Sequence, residues 1–175
     1  NKKFFSESLL NENFQSLKKN NKTLHIFGLL SDGGVHSHIK HFDAILLLAK
    51  QNDLEKVYIH AFLDGRDTPP KSAEKYINSI ENSFRNYNTG KLASICGRFF
   101  SMDRDHRWER TEDAFNLLVH AEAKYKVNSS QDAIKDAYKR NETDEFISPT
   151  LINVNGVFDG ISSNDTIIFM NFRSD

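Results

Sequence analysis

Short apolar runs alternate with longer amphipathic stretches along most of this chain. Four of the short runs predict buried strands, at residues 24–30, 57–63, 92–96 and 166–172. Apolar residues at helical spacing predict five helices, at residues 5–19, 38–51, 69–84, 111–123 and 130–140. Pro69 and Pro70 fit the first turn of the third helix, where proline costs least, and Ser129 or Ser130 fits the cap of the last.

This alternation predicts an α/β fold with three layers, α/β/α, around a mostly parallel sheet of about five strands. The fifth strand would be a short one at residues 154–158. It lies in the least regular stretch, residues 141–164, which is polar, contains Pro149 and two glycines, and predicts either an edge strand or a mobile cover. A chain of 175 residues can bury a sizeable core, so we expect a single domain over residues 1–175.

Composition narrows the class of partner. The 23 basic and 24 acidic residues balance, so no general electrostatic field favours nucleic acid or a membrane surface, and we expect neither as a partner. No apolar stretch approaches the roughly 20 residues that cross a bilayer, and no signal-peptide pattern is present. The single cysteine, Cys96, lies in an apolar run, which predicts a buried, inert thiol and a reduced, cytoplasmic setting. Because the chain opens at Asn1 and stops just after an apolar run, we expect a fragment of a longer protein.

The arginines change this picture, because they are placed unevenly in a neutral chain. Six of the eight lie in or just after predicted strand ends: Arg66, Arg98, Arg104, Arg107, Arg110 and Arg173. The carboxyl ends of parallel strands meet at one edge of a sheet, where open α/β folds bind their ligands. Guanidinium forks suit phosphate and carboxylate groups, so this edge predicts a site for a small anion. Ordinary surface salt bridges are the alternative interpretation.

Two of the strand-end loops add further chemistry. In SDGGVHSH (residues 31–38) the glycines and the following helix start suit an anion, and one of His36 and His38 should face the crevice. In DGRDTPP (residues 64–70) Arg66 stands beside Asp67 and would keep that carboxylate ionised, so that it could act as a general base. A tight turn in the first loop, and a local network of Asp64, Arg66 and Asp67 in the second, are the structural alternatives.

The third loop, GRFFSMDRDHRWER (residues 97–110), holds four arginines. Arg98 follows the strand directly and Arg104 is six residues on, so both are candidate ligands. Arg107 and Arg110 are expected to form salt bridges at a helix start with Asp105, Glu109 or Glu112. We expect Trp108 to pack in the core rather than to contact a ligand.

Four segments of this chain resemble one enzyme family: LHIFGLLSDGGVHSH, VYIHAFLDGRDTPP, GRFFSMDRDHRWERTEDAF and the closing NFRSD. They run in order from about residue 24 to 175 and resemble the substrate-binding domain of 2,3-bisphosphoglycerate-independent phosphoglycerate mutase. The resemblance implies interconversion of 3-phosphoglycerate and 2-phosphoglycerate in glycolysis and gluconeogenesis, in the cytoplasm and by a monomer. It also implies a phosphoserine intermediate on a separate, phosphatase-like domain that holds two divalent metal ions, manganese being the expected metal.

The same resemblance assigns roles residue by residue. It implies that substrate is bound by His36, Arg66, Asp67, Arg98, Arg104 and Arg173. Asp67 would also be the acid/base that exchanges a proton with the glycerate hydroxyl. The chain shows no cluster of metal ligands and no suitable nucleophilic serine, so we expect it to bind no metal and to be inactive alone.

Two rival functions stay open on the sequence. One is a non-catalytic module that binds a phosphorylated metabolite. The other is a metallohydrolase, suggested by His36 and His38 as an HxH pair. Against the second, no later histidine pair with a strand-end aspartate is evident, and the chain is short for a (β/α)₈ barrel.

Overall fold

The computed structural model describes residues 4, 7–152 and 158–174. Within these ranges the sheet has six strands: β1 (Leu24–Leu29), β2 (Val57–Leu63), β3 (Lys91–Gly97), β4 (Tyr125–Val127), β5 (Thr150–Ile152) and β6 (Thr166–Phe169). The α-helices of the same ranges are α1 (Ser8–Lys19), α2 (Ile39–Gln51), α3 (Ala73–Tyr87), α4 (Arg98–Ser101), α5 (Trp108–His120) and α6 (Ser130–Lys139). A 3-10 turn spans Asp144–Phe146.

The strands lie in the order β4-β5-β3-β2-β1-β6. All neighbours run parallel except β3 and β5, which are antiparallel. The mostly parallel α/β sheet is therefore confirmed, with six strands instead of about five. Neither β4 nor β5 coincides with a predicted strand, and β4 is three residues long and only half-buried, so that it carries little apolar signal.

Two clusters of buried side chains place helices on both faces of the sheet and confirm the three layers. The larger cluster joins the strands to α1, α2, α3 and α6 through residues such as Phe14, Phe42, Ile80 and Ile134. The smaller one joins Leu117 of α5 to strands β3 and β5. Consecutive residues of a strand point to opposite faces, so the continuous burial of β1 follows from its cover on both sides.

The stretch at residues 141–164 holds a strand, but not the predicted edge strand. β5 lies one place in from the edge, and β4 is its outer neighbour. The predicted strand at residues 154–158 falls mostly outside the described residues, and Phe158 is buried without strand pairing.

The third helix does not begin at the prolines, as predicted, but at Ala73. Its first turn is capped from a distant part of the chain, because the Asp144 carboxylate accepts the backbone N–H groups of Ser72 and Ala73 at 2.7 and 2.8 Å. A carboxylate in this place satisfies free donors at a helix start and complements the helix dipole. Sequence patterns near the helix cannot predict a cap that comes from more than 70 residues away.

Trp108 was predicted to lie in the core, and this is wrong, because its surface is 71% exposed. The helix also begins three residues earlier than expected and has Trp108 as its first residue. At about 100° per residue, position 108 lies about 180° around the helix from Leu117, which faces the core. The tryptophan is thus on the face of α5 that points to solvent. Cys96, in contrast, is buried as predicted, and burial raises the pKa of its thiol well above the ordinary value.

Candidate functional site

The loops after β1, β2 and β3 meet at the carboxyl edge of the sheet, around the buried side chain of Arg98. Its Nη1 donates to Asp64 Oδ1 at 2.9 Å and to Asp67 Oδ2 at 2.7 Å. Its Nη2 lies 2.9 Å from His36 Nε2. The structure therefore brings His36, Asp67 and Arg98 into direct contact, although they come from three different loops.

Arg98 keeps its positive charge in this cluster. Burial alone would lower the pKa of Arg98, but hydrogen bonds and charge from Asp67 and Asp64 outweigh burial and raise that pKa. The guanidinium thus stays protonated at any ordinary pH. With two aspartates around one arginine, the floor of the site carries no excess positive charge that could hold an anion by itself. Positive charge for an anion has to come from the arginines at the rim.

The two histidines of the first loop have different surroundings. His36 is buried in the cluster, and its Nε2 lies 3.9 Å from Asp67 Oδ2. His38 is the N-cap of α2, where its Nδ1 accepts the backbone N–H of Lys40 at 3.2 Å. Of the two histidines, His36 is therefore the one that contacts Arg98 in the cluster. Because His36 contacts Arg98 and His38 caps α2, the two side chains are not arranged as an HxH metal pair.

In the second loop, Arg66 does not pair with its neighbour Asp67. The side chain of Arg66 is 59% exposed, and its Nη1 lies 3.7 Å from Glu145 Oε1. Asp67 takes its guanidinium partner from Arg98 instead, and its own side chain stays 19% exposed. The structural alternative for this loop was a local network of Asp64, Arg66 and Asp67. Its backbone part is observed, because Asp64 Oδ1 accepts the backbone N–H groups of Arg66 and Asp67.

The predicted arginines line two adjacent depressions at the rim rather than one closed crevice. The first depression is lined by Arg66, Arg98 and Arg104, among other residues. The second is lined by Arg104 and Arg173, together with Phe169 and Asn171. Arg104 borders both, and Arg66, Arg104 and Arg173 are largely exposed. An anion with two charged groups could therefore span the depressions with one group in each.

The segment that carries Arg104 is anchored by its neighbours. Arg110 donates to Asp103 Oδ1 at 2.9 Å and to Asp105 Oδ2 at 3.3 Å, and its guanidinium stacks 3.8 Å from the centre of the Phe99 ring. Asp103 also accepts the backbone N–H of Arg107 at 2.9 Å. The predicted salt bridge from Arg110 to Asp105 is confirmed, and Asp103 is a partner that the sequence did not suggest.

Sequence reasoning missed the segment around Glu145, which closes one side of the site. This segment crosses the ends of two strands, and Gly97 N–H donates to Ile147 O at 2.7 Å. A Cβ atom at Gly65, where φ is +68°, would lie 2.7 Å from Glu145 N. Only glycine tolerates both that backbone conformation and that approach. A glycine two residues after the end of β2 was the available signal, but it does not say which segment approaches.

Two absences hold for the part of the chain that the structure describes. No group of three His, Cys, Asp or Glu side chains among residues 4, 7–152 and 158–174 is arranged to hold a metal ion. In those same residues, no helix combines the length and the apolar character that crossing a membrane requires.

Comparison with known proteins adds independent findings. The family model described as "BPG-independent PGAM N-terminus" matches residues 1–175. A 2,3-bisphosphoglycerate-independent phosphoglycerate mutase from Clostridium tetani is 51% identical over 173 residues, which are 98% of this chain and 34% of that protein. The enzyme of the same description from Francisella tularensis subsp. novicida is 48% identical over 157 residues, covering 90% of this chain and 31% of the relative.

The chain is also similar in structure to a solved phosphoglycerate mutase. The structure of Leishmania mexicana phosphoglycerate mutase at low cobalt concentration superposes with a TM-score of 0.87 at 30% identity, covering 95% of this chain and 31% of that one. This chain thus spans about a third of the length of the proteins that it matches.

Proposed function

Because the chain belongs to the family of BPG-independent phosphoglycerate mutase N-termini, we propose that it is the substrate-binding domain of a phosphoglycerate mutase. In this proposal residues 1–175 form one domain of a longer, two-domain enzyme that interconverts 3-phosphoglycerate and 2-phosphoglycerate. The observation that carries it is the cluster of His36, Asp67 and Arg98 beneath a rim of exposed arginines.

The rim arginines are proposed to bind the substrate. A phosphoglycerate carries a phosphate and a carboxylate, and guanidinium groups bind both through paired hydrogen bonds. Arg66, Arg104 and Arg173 border the two adjacent depressions and can supply a fork to each anionic group. Positioned positive charge also favours phosphoryl transfer, whose transition state spreads charge over the phosphoryl oxygens.

Asp67 is proposed as the acid/base. Its carboxylate is partly exposed, so a substrate hydroxyl can reach it, while Arg98 and the nearby His36 fix it from below. A carboxylate in this position can accept the proton of the glycerate hydroxyl as that oxygen takes up the phosphoryl group, and can return it in the reverse reaction. The buried contacts hold the carboxylate in one orientation, which favours that proton exchange over random encounter.

The remaining parts of the proposed reaction lie outside this chain. The described residues do not fit a metal ion, and so the two divalent metals, with manganese expected, are proposed to bind to the phosphatase-like domain in the rest of the longer protein. The Leishmania mexicana structure is one at low cobalt concentration, which supports a divalent metal in the complete enzyme. We further propose a cytoplasmic monomer that acts in glycolysis and gluconeogenesis, without nucleic-acid or membrane partners.

Titration of the ¹⁵N-labelled chain with 3-phosphoglycerate, followed by NMR, tests the binding role. We expect saturable shifts at His36, Arg66, Asp67 and Arg98 that exceed those caused by sulfate at matched ionic strength. Arg66→Gln should weaken binding roughly tenfold to a hundredfold, the usual worth of a charge-assisted hydrogen bond. Arg85→Gln is the matched control, since Arg85 lies on α3 and donates to Asn82 on the same helix.

Two outcomes would contradict the proposal. Shifts identical with those caused by sulfate would mean that this chain contains no preformed glycerate site. A measurable mutase rate from the purified chain, supplied with divalent metal, would mean that the serine and the metals are not in the rest of the protein. Binding without any mutase activity of the full-length protein would instead favour a non-catalytic module.

A further inference from the structure

The carboxylate of Asp64 lies beneath the candidate site and contacts all three strand-end loops. Its side chain is 1% exposed. Ser31 Oγ, in the loop after β1, donates to Oδ2 at 2.6 Å. In the loop after β2, the backbone N–H groups of Arg66 and Asp67 donate to Oδ1 at 3.2 and 2.9 Å. Arg98, directly after β3, donates to the same oxygen at 2.9 Å.

We propose that Asp64 is a positioning residue, which fixes Arg98 and Asp67 relative to each other without contacting the substrate. This inference rests on the proposed function. Its geometric basis is that a single nitrogen, Nη1 of Arg98, is shared between Asp64 Oδ1 and Asp67 Oδ2. The same Asp64 oxygen accepts the backbone N–H of Asp67 and so sets where that residue stands. Because Asp64 is buried, it acts on the substrate only through these two neighbours.

The charge of Asp64 matters most when Asp67 changes protonation. In the proposed reaction the O–H bond of the glycerate hydroxyl breaks and an O–H bond forms on Asp67. The hydroxyl oxygen bonds to phosphorus as the bond between phosphorus and the serine oxygen of the phosphatase-like domain breaks, and the pair of electrons of that bond stays on the serine oxygen. Asp67 then becomes neutral, and Arg98 loses one of its two counter-charges. The Asp64 carboxylate still accepts from the buried guanidinium, so that Asp67 can gain and lose a proton while Arg98 stays in place.

The other charged groups around Asp67 do not duplicate this role. His36 Nε2 lies 3.9 Å from Asp67 Oδ2 but contacts Arg98 from the opposite loop. Arg66 directly precedes Asp67 in the chain, but its side chain turns toward Glu145, with Nη1 3.7 Å from Glu145 Oε1. Among these groups, only Asp64 is both an anion and a direct partner of Arg98.

Asp64→Asn in the full-length protein tests the inference. The amide keeps the shape, its oxygen can still accept from Arg98 and the two backbone N–H groups, and its nitrogen can donate to Ser31 Oγ. The negative charge is what is lost, and Asp67 becomes the weaker base because Arg98 then turns to it alone. We expect kcat/KM for 3-phosphoglycerate to fall about a hundredfold. We also expect the acidic limb of its pH profile to move to lower pH, by about one unit.

The shift of the pH profile separates positioning from a merely structural role. Asp53→Asn is the control, because Asp53 is 72% exposed and pairs with Lys18 away from the site, and it should behave as wild type. An active wild type with an unaffected Asp64→Asn variant, or with a variant that loses rate but keeps its acidic limb, would overturn the inference alone. A full-length wild type without mutase activity would overturn the proposed function and the inference with it.

If Asp64→Asn does not fold, Ser31→Ala decides the question. This variant removes the hydroxyl that holds Oδ2 and leaves the charge in place. We expect a loss of about tenfold in kcat/KM, because the carboxylate then has one fewer hydrogen bond to fix it. The acidic limb should stay where it is in the wild type. A wild-type rate would overturn the inference.

Discussion

At Arg98 one guanidinium serves two carboxylates and a histidine in a buried setting. Replacing it by methionine keeps much of the volume but leaves Asp64 buried without its counter-charge. Removing one partner of a buried ion pair costs about 3–5 kcal/mol, so Arg98→Met should lower the free energy of unfolding of this chain by that amount. Urea unfolding at neutral pH measures it.

The matched control for this prediction is Arg85→Met on the surface of α3, which should change stability by no more than about 0.5 kcal/mol. In the double variant Asp64→Asn/Arg98→Met the loss should be smaller than the sum of the single losses, because the uncompensated charge is gone. Additive losses would show that the two side chains are not coupled.

The same residue shows how far motifs can predict a site. His36, Asp67 and Arg98 were selected from three separate loops, and the parallel topology brings them together because strand ends share an edge. Which side chains pair within the site does not follow from which residues are neighbours in the sequence. Asp67 pairs with Arg98, 31 residues away, while its neighbour Arg66 points to the rim. Successive residues in a turn point in different directions, and only the fold decides which of them meet.

At the scale of elements, the start of α3 depends on the 3-10 turn at Asp144–Phe146. Asp144 accepts two backbone N–H groups at this helix start and the hydroxyl of Tyr138, which donates at 2.6 Å. Asp144→Ala removes the cap and leaves a part-buried hydroxyl without its acceptor. We expect a loss of about 2–4 kcal/mol in the free energy of unfolding.

Urea unfolding tests this prediction together with hydrogen exchange, since the amides of Ser72 and Ala73 should lose protection first. Asp136→Ala is the control, because the Asp136 side chain is 45% exposed on α6 and pairs with Lys139. Its effect should stay within about 0.5 kcal/mol. An Asp144→Ala variant as stable as the control would mean that α3 does not need the distant cap.

The elements that sequence patterns predicted well are those whose signal is local. The strands β1 and β2 and the helices α2 and α6 are buried or amphipathic over their own length, and their predicted bounds differ little from those observed. The start of α3 and the strand β4 depend on partners far along the chain, and there the prediction failed. Trp108 failed for a different reason, since a large apolar residue was assumed to be buried without placing it on the helix face.

At the scale of the whole molecule, a buried chain of polar groups crosses the sheet. Asp165 Oδ2 lies 3.4 Å from His25 Nε2, His25 Nδ1 lies 3.1 Å from His60 Nε2, and His60 Nδ1 lies 2.8 Å from Ser94 Oγ. It links the segment before β6 to β1, β2 and β3. Phe158 packs against both histidine rings. Because both histidines are buried, an additional proton here would place a charge out of contact with bulk solvent.

This buried chain predicts how the stability of the domain depends on pH. Burial lowers the pKa of His25, although Asp165 opposes the shift, and burial together with the charge of His25 lowers the pKa of His60 well below its ordinary value. The unfolded chain therefore binds protons below about pH 6.5 that the folded chain refuses, so stability is complete above that pH and falls as the pH drops further. We expect the free energy of unfolding to decrease by about 1–3 kcal/mol between pH 7 and pH 5. Urea unfolding across this range measures it.

Two histidine variants test whether the buried histidines cause this pH dependence of stability. His60→Gln, which can keep a polar contact but cannot titrate, should flatten the dependence, whereas His41→Gln on the exposed surface of α2 should leave it unchanged. If His60→Gln and wild type lose stability in parallel as the pH falls, the buried histidines are not the cause of the pH dependence.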